Sequence, residues 1–194
     1  MKRNSLPIIL ASASPRRKKL LEQINLKFKT VSVDLDERQL PNEKPFRMVK
    51  RLAEEKLQLA LQKIQHGIII TADTIVVLDG KIIGKPKDEI DAVKILKKLS
   101  GRKHTVYTGF AVFNTSTNKK IISYEKTFVQ FRKLTNEEIS LYVGSGSPMD
   151  KAGACGIQDD FGAVFIQAIN GCYYNVVGLP LSRVYHALNE VGAC

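Results

Sequence analysis

No apolar run in this 194-residue chain approaches the roughly 18 residues that a membrane-spanning helix needs, so no bilayer segment is expected. Cysteine is scarce. Cys155, Cys172 and Cys194 are odd in number, widely spaced and without a CxxC pair, which argues against both a disulfide framework and a zinc site. The three histidines, His66, His104 and His186, are equally scattered. Internal repeats, low-complexity tracts and Gly/Ser linkers are missing, and the length suits one domain over residues 1–194 or two closely joined lobes. The opening Met1-Lys2-Arg3-Asn4-Ser5-Leu6-Pro7-Ile8-Ile9-Leu10 places basic residues before a few apolar ones, but the apolar stretch stops too soon for a signal peptide. A cytoplasmic protein is therefore expected, in which the sequon Asn114-Thr115-Ser116 has no meaning.

What is present is ordinary in amount and unusual in balance. Hydrophobic residues make up 44% and charged residues 25%, as in a globular domain. Against 19 acidic residues stand 30 basic ones, a formal charge of +11 that attracts polyanions, either nucleic acid or a phosphorylated small molecule. The alternative is a solvated basic surface. With no recognition-helix signature and no row of aromatic residues for base stacking, nucleic acid is the weaker partner.

Pattern and punctuation give alternating elements. Strands are expected over Pro7–Leu10, Phe28–Val33 and Gly67–Leu78, the last turning at Asp79-Gly80 into Lys81-Ile82-Ile83. Further strands are expected over His104–Phe113, Lys120–Phe131, Val164–Ile169 and Tyr173–Val177. Helices are expected over Pro15–Gln23, between Asp88 and Ser100, after the Thr135/Glu138 capping box, and from Pro180 to Val191. Helical spacing also joins Val49, Leu52, Ala53, Leu57, Ala60, Leu61 and Ile64. Interleaved helices and strands imply an α/β fold with a mixed sheet.

Two stretches conflict with simple structural rules. In Ser12-Ala13-Ser14-Pro15-Arg16-Arg17-Lys18-Lys19, Ser14 is a good N-cap and Pro15 a good first helical residue, yet four cations follow. A helix start already carries partial positive charge, so each cation there is unfavourable unless an anion binds. Free N–H groups, serine hydroxyls and guanidinium forks could then converge on phosphate oxygens. The alternative is that the side chains splay into water. The second conflict is Asp73, a single acid in the apolar run Ile68–Val77, which should be paired, metal-bound or at the rim of a cleft. A structural aspartate bonded to a nearby loop is the alternative.

Other residues read less sharply. Gly80-Lys81-Ile82-Ile83-Gly84-Lys85 is one residue short of a Walker A motif and ends in Pro86, so it is not one, though Lys85 remains suited to phosphate chemistry. Asp34, Asp36 and Glu37 form an acidic patch that could help hold magnesium or could be a solvated loop. Lys56 reads as a lysine flanking the apolar stripe. Gly153-Ala154-Cys155-Gly156-Ile157-Gln158 is a small-residue loop that could approach a flat ligand, with the Gln158 amide reading a base edge; a plain turn fits equally.

Six strings occur in order: Leu10–Arg17, Leu52-Ala53-Glu54-Glu55-Lys56, Ala72-Asp73-Thr74-Ile75-Val76, Gly84-Lys85-Pro86, Leu99-Ser100-Gly101 and Asp150–Gln158. Together they resemble the Maf family of nucleoside triphosphate pyrophosphatases, once described as septum-formation inhibitors, and the similarity runs from about Ile8 to the final helix. The resemblance implies an elongated two-lobed mixed sheet flanked by helices with a central cleft, metal-dependent hydrolysis with Mg2+ or Mn2+, a cytoplasmic location and a homodimer. It assigns Asp73 as proton acceptor and Arg16, Thr74 and Gln158 to substrate choice. Ser12, Arg17, Glu37, Lys56 and Lys85 match other polar residues lining that family's cleft, with Glu37 and Asp73 the expected metal ligands. The Gly-Ile-Gln ending resembles the branch acting on dTTP and UTP, although Cys155 stands where an aromatic residue is expected. Alternatives are a regulator binding nucleic acid or a cell-division protein, and a pyrophosphatase for purine triphosphates such as ITP or XTP.

Overall fold

The computed structural model describes residues 6–158 and 161–193; Met1–Ser5 and Cys194, to which the leader and cysteine readings extend, lie outside the described residues. Seven strands form one sheet: β1 (Ile8–Ala11), β2 (Phe28–Val31), β3 (Ile68–Leu78), β4 (Lys81–Ile83), β5 (Lys103–Asn114), β6 (Lys120–Phe131) and β7 (Ile166–Asn170). Their order is β2-β1-β3-β5-β6-β7, with β4 paired to β3. The sheet is mixed: β1 runs parallel to β2 and β3, whereas β4 is antiparallel to β3 and β7 to β6. The helices are α1 (Pro15–Gln23), α2 (Pro45–Leu61), α3 (Glu89–Leu99), α4 (Asn136–Gly144), α5 (Tyr173–Val177) and α6 (Leu181–Glu190).

The chain divides into two compact units, and β3, β5 and β6 are long enough to contribute to both. The first takes in the described residues up to Asp73, then Thr108–Glu125 and the residues from Gly178 onward. Its core gathers Ile9, Ala11, Ala53, Leu57, Ala60, Ile69 and Ala111. Helix α2 lies close on the strands, because the stripe Val49, Leu52, Ala53, Lys56 repeats at helical spacing. At Gly109 on β5 the approach is so tight that a Cβ would fall 2.1 Å from the Val49 carbonyl oxygen. One turn further along α2, the buried Thr71 hydroxyl on β3 donates to the Ala53 carbonyl at 2.6 Å.

The second unit comprises the described residues of Thr74–Tyr107 and Lys126–Val177. Its core packs Val76, Leu96, Val129, Phe131, Tyr142 and Phe165. Asp88 caps α3, and Thr135 with Glu138 closes the expected capping box on α4. Two expectations fail here. Phe161–Phe165 is 3₁₀-helical, so the strand begins only at Ile166. Tyr173–Val177 is a short helix rather than a strand. A five-residue apolar run does not reveal its period. Tertiary bonds decide it: buried Asn175 donates to the Val106 carbonyl at 3.1 Å and to the Thr127 hydroxyl at 2.9 Å.

Candidate active site

Alternation along β3 places Thr71 and Asp73 on one face, and helical spacing places Ala53 and Lys56 on one face of α2. The Thr71–Ala53 bond therefore sets the register that brings Lys56 to Asp73. Lys56 Nζ donates to Asp73 Oδ1 and to Glu37 Oε1, both at 2.6 Å. Side-chain exposure rises along this chain of contacts, from 4% at Asp73 through 10% at Lys56 to 42% at Glu37. Solvent therefore reaches the cluster from the Glu37 side. Asp73 Oδ2 is buried and has no hydrogen-bond partner among the described residues. An ionised oxygen left in that state is costly, so the site is incomplete without a proton, water or cation. Burial pushes the Asp73 carboxyl above its ordinary value; Lys56 opposes this, Glu37 adds to it, and Arg17 opposes it more weakly.

Arg17 enters the same unit from the start of α1. Ser14 caps the helix by accepting from the Arg17 amide at 3.4 Å, and its own amide donates to the Ser12 hydroxyl at 3.2 Å. That hydroxyl also accepts from Arg17 Nη1 at 3.3 Å, while Arg17 Nε donates to the Gly178 carbonyl at 2.8 Å. The guanidinium is thus fixed in place by neutral oxygens at both of these contacts. Burial lowers its pKa, and Asp73 and Glu37 act against that shift. Arg17 at that helix start is close enough to Asp73 and Glu37 to interact electrostatically with both. The four cations part company, however. Lys18 pairs with Glu22 one turn on, at 3.7 Å on the surface, and Lys19 is exposed, while Arg16 is half-buried.

Of the three acids after β2, only Glu37 joins the cluster; Asp36 pairs with Arg38 at the surface and Asp34 is exposed. Glu37 and Asp73 are the two carboxylates available to a divalent ion, and no group of three or more His, Cys, Asp or Glu stands together among the described residues. Two carboxylates, one with a buried unsatisfied oxygen, fit magnesium or manganese, which complete their shells with water and substrate oxygens.

Thr74, Lys85 and Gln158 belong to the second unit. Thr74 follows Asp73 on β3 and leaves from the opposite face. Lys85 is exposed, just beyond the β4 hairpin. Gln158 Oε1 is buried without a hydrogen-bond partner among the described residues. The small-residue loop before it has a packing role of its own. Gly153 adopts φ +72°, its amide donates to the Gly84 carbonyl at 3.0 Å, and a Cβ would stand 3.1 Å from Val76 Cγ2. Cys155 packs at the edge of the core and its thiol donates to the Gly162 carbonyl at 3.4 Å.

One residue beside the cluster carries little sequence signal. Arg51 on α2 grips the segment that carries Glu37, donating to Glu43 through Nε and Nη2, both at 2.7 Å, and to the Arg38 carbonyl at 2.9 Å. The i,i+4 pair with Glu55 was its one legible feature, and such pairs are common on solvated helices.

Fold and cluster together define an α/β protein whose buried acid and ammonium and half-buried guanidinium suit an anionic ligand. Comparison with known proteins gives the family. The model of the Maf-like protein family matches residues 7–191, and the chain belongs to that family. Similar proteins include the dTTP/UTP pyrophosphatase of Dictyoglomus turgidum, 50% identical over 95% of this chain and 96% of its own length. That of Syntrophomonas wolfei subsp. wolfei is 48% identical over 94% and 96%, and that of Clostridium botulinum 47% over 95% and 97%.

Proposed function

We propose that this protein hydrolyses dTTP and UTP, and modified pyrimidine nucleotides of the same shape, to the monophosphate and pyrophosphate. Near-full-length relatives named for that activity support the reading. The observation that carries the chemistry is Asp73, buried, bonded to Lys56 through one oxygen and unsatisfied at the other. In this reading the oxygen of a water attacks the α-phosphorus, the bond to the α–β bridging oxygen breaks, and pyrophosphate leaves with that oxygen. Asp73 accepts the proton that the water loses. Lys56 orients Asp73 and opposes the upward pull of burial on its carboxyl, and Arg17, fixed by Ser12 and Gly178, holds the triphosphate with Arg16.

A divalent cation, Mg2+ or Mn2+, would be held by Glu37 and Asp73 and would supply charge neutralisation and a more acidic bound water. Lys85 would help hold the triphosphate, and the family resemblance associates Arg16, Thr74 and Gln158 with substrate choice. It also supports a homodimer acting in the cytoplasm, which a light-scattering mass and fractionation would test.

The decisive experiment incubates pure protein with magnesium or manganese and each nucleoside triphosphate, then resolves the products. Expected is conversion of dTTP and UTP to monophosphate and pyrophosphate, with Asp73→Asn losing most turnover at unchanged fold. Preferential hydrolysis of ITP or XTP would replace the pyrimidine reading with the purine one. Salt-sensitive binding of nucleic acid without any hydrolysis would favour the regulatory module instead.

A further inference from the structure

Glu37 lies on an irregular segment between β2 and α2, where no ladder or helix fixes the backbone. Its carboxylate is also the most exposed member of the cluster. A side chain in that setting keeps one geometry only if neighbouring contacts impose it. Those contacts come from α2. Lys56 grips the Glu37 carboxylate itself, and five residues earlier Arg51 reaches the backbone one residue beyond it, at the Arg38 carbonyl. The two side chains leave the helix about 140° apart, so the segment is held from two sides.

We propose that Arg51 is a positioning residue for Glu37, acting through a guanidinium fork that ties the Glu37 segment to α2; this rests on the reading of Glu37 as a working member of the site. All five donor directions of the guanidinium are engaged in one construction. Nε and Nη2 form a paired fork on Glu43, Nη2 also meets the Arg38 carbonyl, and Nη1 meets both oxygens of Glu55 at 3.0 and 3.1 Å. Glu43 Oε2 in turn accepts from the Leu40 amide at 3.4 Å, which closes the segment on itself. Glu55 anchors the fork to the helix and Glu43 anchors it to the segment, so lifting the segment off α2 must break a charged, bidentate contact at Glu43 and the bond to the Arg38 carbonyl beside Glu37. A lysine at position 51 could keep the charge but could not make the fork.

The test is a double-mutant cycle on the full chain with Arg51→Met and Glu37→Gln, read by steady-state kinetics and by hydrogen exchange of the amides of residues 36–40. Arg51→Met is expected to lower kcat by about 10- to 100-fold, as a displaced site group does. It should also speed exchange in the segment while leaving α2 protected. In the Glu37→Gln background the same substitution should cost under about twofold, because the two act as one unit. Arg51→Lys should recover only part of the loss. An equal loss in both backgrounds, or accelerated exchange with unchanged kcat, overturns the positioning role. The two readings fail differently. Wild-type turnover in Glu37→Gln removes Glu37 from the site and the proposal with it, whereas an impaired Glu37→Gln beside an unimpaired Arg51→Met sinks the positioning role alone.

Discussion

Asp73 and Lys56 are each expensive to bury and acceptable only together. Removing the ammonium leaves a carboxylate in a nearly closed environment, a change that costs roughly 3 kcal/mol or more. Lys56→Met should therefore lower Tm by about 6–12 °C in a chain of this length. The double variant Lys56→Met/Asp73→Asn should recover much of that loss, because nothing charged is then stranded; a double variant less stable than Lys56→Met would refute the pairing. His104 offers a second residue-scale test. It is buried edge-on to Phe131, with ring centroids 4.9 Å apart, and its Nδ1 has no partner among the described residues. Burial holds its pKa down at about 4. The neutral ring is therefore favoured in the native state, while the unfolded chain takes up a proton near pH 6.5. This contribution is complete above pH 6.5 and is lost as pH falls toward 4. Urea midpoints should decline over that window, and His104→Leu should show a shallower decline than the parent.

Among the elements, α2 does most to build the site. Its stripe meets β5 at Gly109, meets β3 at Thr71, and delivers Lys56 to Asp73 and Arg51 to the Glu37 segment. Gly109→Ala should push α2 outward, since the new methyl would collide with backbone atoms that cannot rotate away. A loss of about 2–3 kcal/mol is expected together with reduced turnover. Gly144→Ala is the control. It lies in α4 with open space around it and should be neutral or slightly stabilising. Calorimetry and initial rates on both variants check the contrast. The same helix shows how far a linear reading reaches. Its existence follows from the spacing of Val49, Leu52, Ala53 and Leu57, but Lys56 reads as an ordinary flank because its partner Asp73 lies seventeen residues further on, on another element. Arg51 was illegible for a related reason. Its fork depends on where an irregular segment comes to rest, which no periodicity encodes. The failure at Tyr173–Val177 is of the same kind, since bonds from Asn175 to Val106 and Thr127 choose the conformation.

At the scale of the whole molecule, the α/β class and mixed sheet were legible because each long element carries its own period and its own caps. Asp73 was legible because an acid is conspicuous among Ile68–Val77. The excess of positive charge was less informative than it looked. Of the four cations opening α1, Arg17 joins the buried cluster, while Lys18 spends its charge on Glu22. What the molecule gains from that cluster is internal balance, with Lys56 seated between two acids that would otherwise repel each other. The native shape thus carries a built-in counter-ion for the two acids, so its fold does not rest on a buffer cation even though Asp73 Oδ2 stays open to a proton, water or cation. Exhaustive dialysis against a chelator should silence hydrolysis yet leave the melting curve where it was, and re-adding magnesium should restore the reaction at mixing speed rather than at the pace of refolding.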